Sequence, residues 1–256
     1  MNETITGVES ARPKALFSVV IPLIPAHDKH VFKLLRFLSL DTSNLQEIII
    51  CRSESSSRSA HIFSRKVKTL VGQLGFSIPV RVSFSELQCN DGLNRNRGAE
   101  IATADYLLFL DADDEYHPKR TSFLQHAIEL SGSDALLHGY SLSKLDDPNL
   151  STLGHVDINA FAIDPNGLLT VSNLSTNENW HNAHLTARRS VVLANPFLSI
   201  WPGADQELVT RLVKMGYKVN HLNLVLSRWV RQKPIRYHLR NVLKRIAREI
   251  GPKANH

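Results

Sequence analysis

Two cysteines, Cys51 and Cys89, are all that the 256 residues carry. That is too few for a disulfide framework, so the fold must rest on its apolar core, and a reducing, cytoplasmic setting is the expectation. Each cysteine reads as a small core residue rather than a nucleophile. Long hydrophobic runs are also missing: nothing approaches the roughly 20 apolar residues that a membrane-spanning helix needs. The nearest run, residues 15–26, holds Pro22 and Pro25. With Arg12 and Lys14 ahead of it the run imitates a signal peptide, but it reads better as a first core strand. No internal repeat is evident.

Charge is present but unevenly spread. The formal net charge is +6, yet from Arg228 onward nine lysines and arginines stand against the single acid Glu249, so the rest of the chain is close to neutral. Within that tail Leu239, Val242, Leu243, Ile246 and Ile250 recur at helical spacing among the cations. Residues 231–256 therefore read as a basic amphipathic helix, suited either to an anionic membrane surface or to docking on the body of the protein. Residues 1–14 read as a flexible lead-in.

Between these ends, short apolar runs alternate with helical patterns. Strands are predicted at Phe17-Ser-Val-Val-Ile-Pro22, Glu47-Ile-Ile-Ile-Cys51, Val80-Arg-Val-Ser-Phe84 and 107–110. Helices are predicted at 30–40, after the serine-rich turn 53–59, and at 94–103. A further helix follows Pro118, a fifth strand covers 134–140, and a helix at 205–215 closed by Gly216 precedes a last strand at 218–229. Strand–helix alternation implies right-handed crossovers and a mainly parallel sheet. Residues 141–179 are dominated by turn signals and read as a functional loop.

The densest chemistry lies at Tyr106-Leu-Leu-Phe-Leu-Asp-Ala-Asp-Asp114, where an apolar run ends in three carboxylates. A buried strand whose carboxyl end opens into a crevice is where open α/β sheets bind ligands. Carboxylates packed this closely need a shared proton or a cation, and hard oxygen ligands suit Mg²⁺ or Mn²⁺. In an extended segment Asp111 and Asp113 share one face and Asp114 points away. The plainer alternative is an exposed turn with an aspartate capping the helix near Pro118.

In order, these residues resemble family 2 glycosyltransferases, nucleotide-sugar-dependent enzymes of the GT-A fold. Val20-Ile-Pro22 matches the family's opening strand and Glu47-Ile-Ile-Ile50 its second. Arg95-Asn-Arg-Gly98, Ala102, Ala104-Asp-Tyr106 and Phe109-Leu-Asp-Ala-Asp-Asp114 match the helix and strand around its acidic motif, and Gly203-Ala-Asp-Gln-Glu-Leu208 its later acidic helix start. The resemblance spans about Phe17 to Trp229. It implies a Rossmann-like, mostly parallel central sheet flanked by helices, with a catalytic domain at 15–230. The nucleotide-binding half would be about 15–140 and the acceptor half about 141–230.

By the same resemblance, Asp111 contacts the nucleotide and Asp113 binds the divalent ion bridging the donor diphosphate. Pro22, Arg95 and Asn96 line the nucleotide, Ser53 or Glu54 stands in for the family's usual aspartate there or that contact is absent, and Asp205 is the base that deprotonates the acceptor hydroxyl, with inversion at the anomeric carbon. The implied cofactors are Mn²⁺ or Mg²⁺ with a UDP-sugar donor, a GDP-sugar being the other choice. The acceptor would be a saccharide, lipid-linked or other hydroxyl, met in the cytoplasm or at the inner membrane face. No nucleic acid is expected.

Arginine matches phosphate geometry, so Arg228 and Arg231 are candidates for the diphosphate. Trp180 and Trp201 are candidates to stack on an acceptor sugar, and His181, His184 or His238 to complete the coordination of Asp113. Two departures from the family stand out. Cys51-Arg-Ser-Glu54 replaces the usual aspartate after the second strand, and Ile24-Pro25 replaces the usual Tyr-Asn. They leave room for a second reading, a glycosyltransferase-like module without turnover that uses its basic tail on membranes or polyanions. A phosphatase using the first aspartate of Asp-x-Asp as nucleophile fits poorly, because that pattern lies near a chain start and continues with Thr or Val. A nucleotidyltransferase would place a Gly-rich phosphate loop where Ile24-Pro-Ala-His27 stands.

Overall fold

A computed structural model describes residues 16–141, 168–170, 185–200 and 203–228. Trp180, His181, His184, Trp201, Arg231, His238 and the basic tail lie outside the described residues. In chain order the strands are β1 (Phe17–Leu23), β2 (Leu45–Arg52), β3 (Val80–Phe84), β4 (Tyr106–Phe109), β5 (Glu115–Tyr116), β6 (Ala135–Ser141), β7 (Leu168–Thr170), β8 (Thr186–Arg188) and β9 (Val219–Arg228). The helices are α1 (Asp28–Leu38), α2 (Ser57–Leu74), α3 (Asp91–Ile101), α4 (Arg120–Ser131), α5 (Arg189–Ala194) and α6 (Ala204–Lys214).

All described strands join one sheet in the order β3-β2-β1-β4-β8-β6-β9-β5, with β7 beside β9. The longer ladders, β1 with β2 and β4, β2 with β3, and β6 with β9, are parallel, whereas β8, β5 and β7 pair antiparallel. The expected mostly parallel α/β sheet is therefore present. The strand expected at 134–140 is the sixth rather than the fifth, because two residues, Glu115 and Tyr116, form β5. Strands of two or three residues carry too little pattern to be read from sequence.

Period-two alternation divides the central strands between two apolar layers. Phe17, Val19, Ile21 and Leu23 of β1 and Tyr106 and Leu108 of β4 face a core with Val31, Leu34 and Leu35 of α1 and Phe63 and Val67 of α2. Val20, Leu107 and Phe109 face the other core, with Ala99 of α3, Val191 of α5 and Leu208 of α6. Both faces of the sheet are thus covered, as near-continuous apolar strands require.

The second core is closed at one edge by Glu47, fully buried on β2 on the face it shares with Ile49 and Cys51. Its carboxylate accepts from Ser18 Oγ (2.8 Å), from the amide and hydroxyl of Thr103 (2.7 Å each) and from Arg81. Burial pushes its pKa up, but these donors outweigh burial and hold it below the ordinary value. The glutamate of the Glu-Ile-Ile pattern is thus a structural tie between β1, β2 and the turn before β4.

Helix α3 lies close on the second face because its contact residue is glycine. A methyl group on Gly98 would overlap Val20 Cγ1 and come within 3.3 Å of Cys51 Sγ. Gly98→Ala is accordingly expected to cost about 1–3 kcal/mol through overpacking. Urea denaturation checks this, and pairing with Val20→Ala should recover part of the loss.

Candidate active site

The carboxyl ends of β1, β2 and β4 and the start of α3 converge on one edge of the sheet, and the acidic segment follows β4 there. Residues 111–114 form a turn rather than the expected extended segment, closed by the Asp114 amide on Asp111 O at 3.3 Å. The physical reason is Tyr116. Its hydroxyl accepts from the Asp111 amide (2.7 Å) and donates to the Asp111 carbonyl (3.0 Å), satisfying the backbone where the ladder ends. Tyr116 is buried, and burial together with Asp114 and Asp111 keeps its hydroxyl protonated well above its ordinary pKa. Asp114 is also buried, on the side of Tyr116 and Arg120. None of these aspartates caps α4, whose N-cap residue Lys119 has no side-chain cap bond.

Arg95 organises the site. Projecting from α3, it is 1% exposed, and its Nη2 donates to Asp111 Oδ1 at 2.7 Å while Nη1 lies 3.7 Å from Asp205 Oδ2. Its guanidinium also stands over the Phe197 ring at 5.6 Å. Burial alone would lower its pKa, but Asp111, Asp205 and Asp91 outweigh burial and keep the cation protonated. Arg95 therefore spans two carboxylates that are 94 residues apart in sequence.

Asp205 sits in the first turn of α6, just after Gly203, whose φ of 100° is a conformation that glycine adopts without strain. It is 5% exposed. Burial pushes its pKa up to about 6 against the pull of Arg95, with Asp111 and Asp91 adding to the rise. The approach to α6 is fixed by Asn96, whose Nδ2 donates to Phe197 O and whose Oδ1 accepts from Phe197 N, both at 2.9 Å. Adjacent residues of α3 thus do two jobs, Arg95 bridging the carboxylates and Asn96 holding the segment that leads to Asp205.

Asp113 is half-buried and lies within electrostatic reach of His30 and Asp91. Two groups that sequence reasoning passed over join it. Asp91 opens α3 behind the cap Asn90, where an acid is explained by the helix dipole alone. Burial raises its pKa, as do Asp111 and Asp113, against Arg95 and His27. His27 and His30 stack edge to face at 5.8 Å beside these acids, and the only sequence signal was their place just after the first strand.

The other predicted residues are placed as follows. Pro22 is buried in β1 opposite Cys51. Ser53 is buried at the end of β2, where its amide donates to Leu23 O (3.0 Å) and its hydroxyl accepts from Asn94 (3.3 Å). Glu54 is exposed at the same edge with φ of 54°, the sole positive value for a non-glycine among the described residues, a strain that often marks functional sites. Arg52, beside them, is committed to Asp28 by two bonds of 2.8 and 3.0 Å. Arg228, a candidate for the diphosphate, is buried and ion-paired with Glu115, which also takes Lys33 at 2.8 Å.

This architecture, with its acidic turn at the carboxyl edge of a sheet, is that of the GT-A glycosyltransferases. Residues 18–150, more than half of the chain, match the model of glycosyl transferase family 2, and the protein belongs to that family. Among curated proteins, the amylovoran biosynthesis glycosyltransferase AmsB of Erwinia amylovora is 34% identical over 107 residues, covering 40% of this chain and 32% of that protein. The aligned part thus spans about a third of the relative's length. Among solved structures, S. aureus TarS in complex with UDP-GlcNAc superposes with a TM-score of 0.62 at 16% identity, covering 94% of this chain and 68% of the other. The mannosyltransferase PcManGT from Pyrobaculum calidifontis, in complex with GDP-Man and Mn²⁺, superposes with a TM-score of 0.58 at 13% identity, covering 94% and 65%.

Because the Arg95 cation is buried with its two acids, Arg95→Met is expected to cost about 3–5 kcal/mol of stability. Arg95→Lys keeps the charge but not the two-ended reach, and should fall between. A denaturation midpoint for Arg95→Met within error of the parent would remove the bridge from the account.

Proposed function

We propose that the protein transfers a sugar from a nucleotide diphosphate donor to an acceptor hydroxyl with inversion, Asp205 acting as general base and Asp113 holding a divalent cation. The observation that carries this reading is the buried Arg95 joining Asp111, on the donor side, to Asp205, across the site.

A divalent ion fits the donor set. Asp111, Asp205 and Asp91 act on the one Arg95 guanidinium, leaving excess negative charge, and Asp113, half-buried, lies within electrostatic reach of Asp91. The described residues gather no cluster of three His, Cys, Asp or Glu ligands. Ions such as Mg²⁺ need none, since they take one or two carboxylates and draw the remaining oxygens from substrate phosphate and water. Bound there, Mn²⁺ or Mg²⁺ would offset the charge that develops on the departing phosphate.

The chain's own groups do the rest. With a pKa of about 6, Asp205 is mostly ionised at neutral pH yet basic enough to take a proton from a hydroxyl in the transition state. In one displacement the acceptor oxygen bonds to the anomeric carbon, the bond to the diphosphate breaks, and the hydroxyl proton passes to Asp205; attack opposite the leaving group inverts the centre. Asp111, oriented by Arg95 and Tyr116, contacts the nucleotide. Pro22, Ser53 and Glu54 border it, with Glu54 offering an exposed carboxylate to ribose hydroxyls. Arg95 and Asn96 shape the pocket from beneath. Arg231 is assigned to the diphosphate only because arginine matches phosphate geometry.

On this reading residues 15–140 form the donor half and 141–230 the acceptor half. The donor is a UDP-sugar, with a GDP-sugar as the second choice, and the acceptor is a saccharide or lipid-linked hydroxyl. The structures of TarS with UDP-GlcNAc and PcManGT with GDP-Man and Mn²⁺ support a nucleotide-sugar donor.

Calorimetric titration with UDP, GDP and CDP, with and without Mn²⁺, tests the donor site. One nucleotide should bind in a metal-dependent manner, and Asp113→Ala should abolish the metal dependence; equal binding with and without metal would sink the assignment. Asp205→Asn should lower kcat by about 10²- to 10⁴-fold with nucleotide affinity retained. In the parent, kcat/KM should fall as pH drops below about 6, because protonated Asp205 cannot accept the acceptor's proton.

A further inference from the structure

We infer that the outer face of α1 and α2 is a docking surface for an anionic lipid bilayer. This goes beyond the transfer reaction and uses none of its residues. The two helices carry seven lysines and arginines and one acid, Asp28, which is committed to Arg52. Between the helices runs a groove of about 520 Å³, lined by Lys29, Arg36, Arg65 and Lys66 over an apolar floor that includes Phe32 and Leu70. No lining residue is acidic. None of the four cations forms an ion pair among the described residues, whereas Lys33, on the same helix, is paired with Glu115. All four are exposed.

The spread of this charge decides the class of partner. At a rise of about 1.5 Å per residue, Lys29 and Arg36 stand some 10 Å apart along α1. Arg65 and Lys66 flank the groove from α2, with Arg58 about two turns before Arg65. A single small anion cannot meet cations over that span, but a plane of phosphate headgroups can. An apolar side chain stands among the cations of α2: Ile62, three and four residues before Arg65 and Lys66, is 38% exposed. An exposed aliphatic group amid lysine and arginine suits insertion at the headgroup level, whereas an acidic polysaccharide would gain nothing from it. Clusters of roughly four to eight lysines and arginines are the range over which binding to an anionic leaflet becomes firm.

The test is co-sedimentation of the full chain with vesicles of phosphatidylcholine alone and of phosphatidylcholine with roughly one-third phosphatidylglycerol, at ~0.1 M and ~1 M salt. The parent should bind the anionic vesicles at low salt, release them at high salt and ignore the neutral ones. The combined variant Lys29→Gln, Arg36→Gln, Arg65→Gln, Lys66→Gln should bind at least about tenfold more weakly, with an unchanged thermal midpoint. A second variant, Arg240→Gln, Lys244→Gln, Arg245→Gln, Arg248→Gln, should still respond to removal of the groove charges. If removing the groove charges leaves binding intact, or if neutral vesicles bind as well as anionic ones, the proposal is wrong. It is equally wrong if the parent ignores vesicles but is retained by an immobilised acidic polysaccharide, an outcome that would make the partner a glycan.

Discussion

The structure turns on one buried cation. Arg95 has almost no contact with solvent, and a guanidinium so placed is tolerable only if carboxylates meet it. Asp111 comes from the end of β4 and Asp205 from the start of α6, so satisfying Arg95 obliges the central strand and the later helix to arrive at one point. Everything that positions α3 therefore acts on the site. Gly98 lets the helix lie against Val20 and Cys51, and Asn96 grips the backbone of Phe197 a few residues ahead of Gly203 and Asp205.

The same constraint sets the electrostatics. Arg95 meets three nearby acids, Asp111, Asp205 and Asp91, so it cannot neutralise them all, and the environments of the site's carboxylates diverge. Asp111 takes the short bond to Arg95, and Asp205, held at 3.7 Å, keeps a pKa raised by burial. Asp113 and Asp91 face the histidines His27 and His30. Pairs of carboxylates whose environments push their pKa values apart are a recurring way for one site to hold both a charge stabiliser and a base. The Cys51–Glu54 departure that motivated a module without turnover is occupied by local ties, Arg52 to Asp28 and Ser53 to Asn94, and leaves the Arg95 bridge intact.

Much of this was legible in the sequence because it depends on periodicity and on a compact motif. The four strands before the acidic turn read correctly from runs such as Glu47-Ile-Ile-Ile-Cys51, and the helices from apolar spacing, the second ending at Gly75 where the sequence offered Gly72 or Gly75 and α6 closed by Gly216. The elements missed, β5, β7, β8 and α5, are two to six residues long and owe their form to neighbours rather than to their own pattern. The acidic segment read as extended because alternation is all that a sequence offers. The hydroxyl of Tyr116, which folds it into a turn, is a tertiary contact. Asp91 was hidden by its ordinary place in a helix's first turn, and the bridging role of Arg95 could not be read without knowing that Asp205 would arrive beside it.

The claim on which the rest depends is that Asp111 and Asp205 share the Arg95 charge. Carboxyl-carbon NMR titration of Asp205, in the parent and in Asp111→Asn, addresses it directly. The account predicts a midpoint near 6 in the parent and a lower one in the variant, where the buried cation is left to Asp205 and the repulsion from Asp111 is gone. An ordinary carboxylate midpoint in the parent, or one that Asp111→Asn does not move, would contradict it.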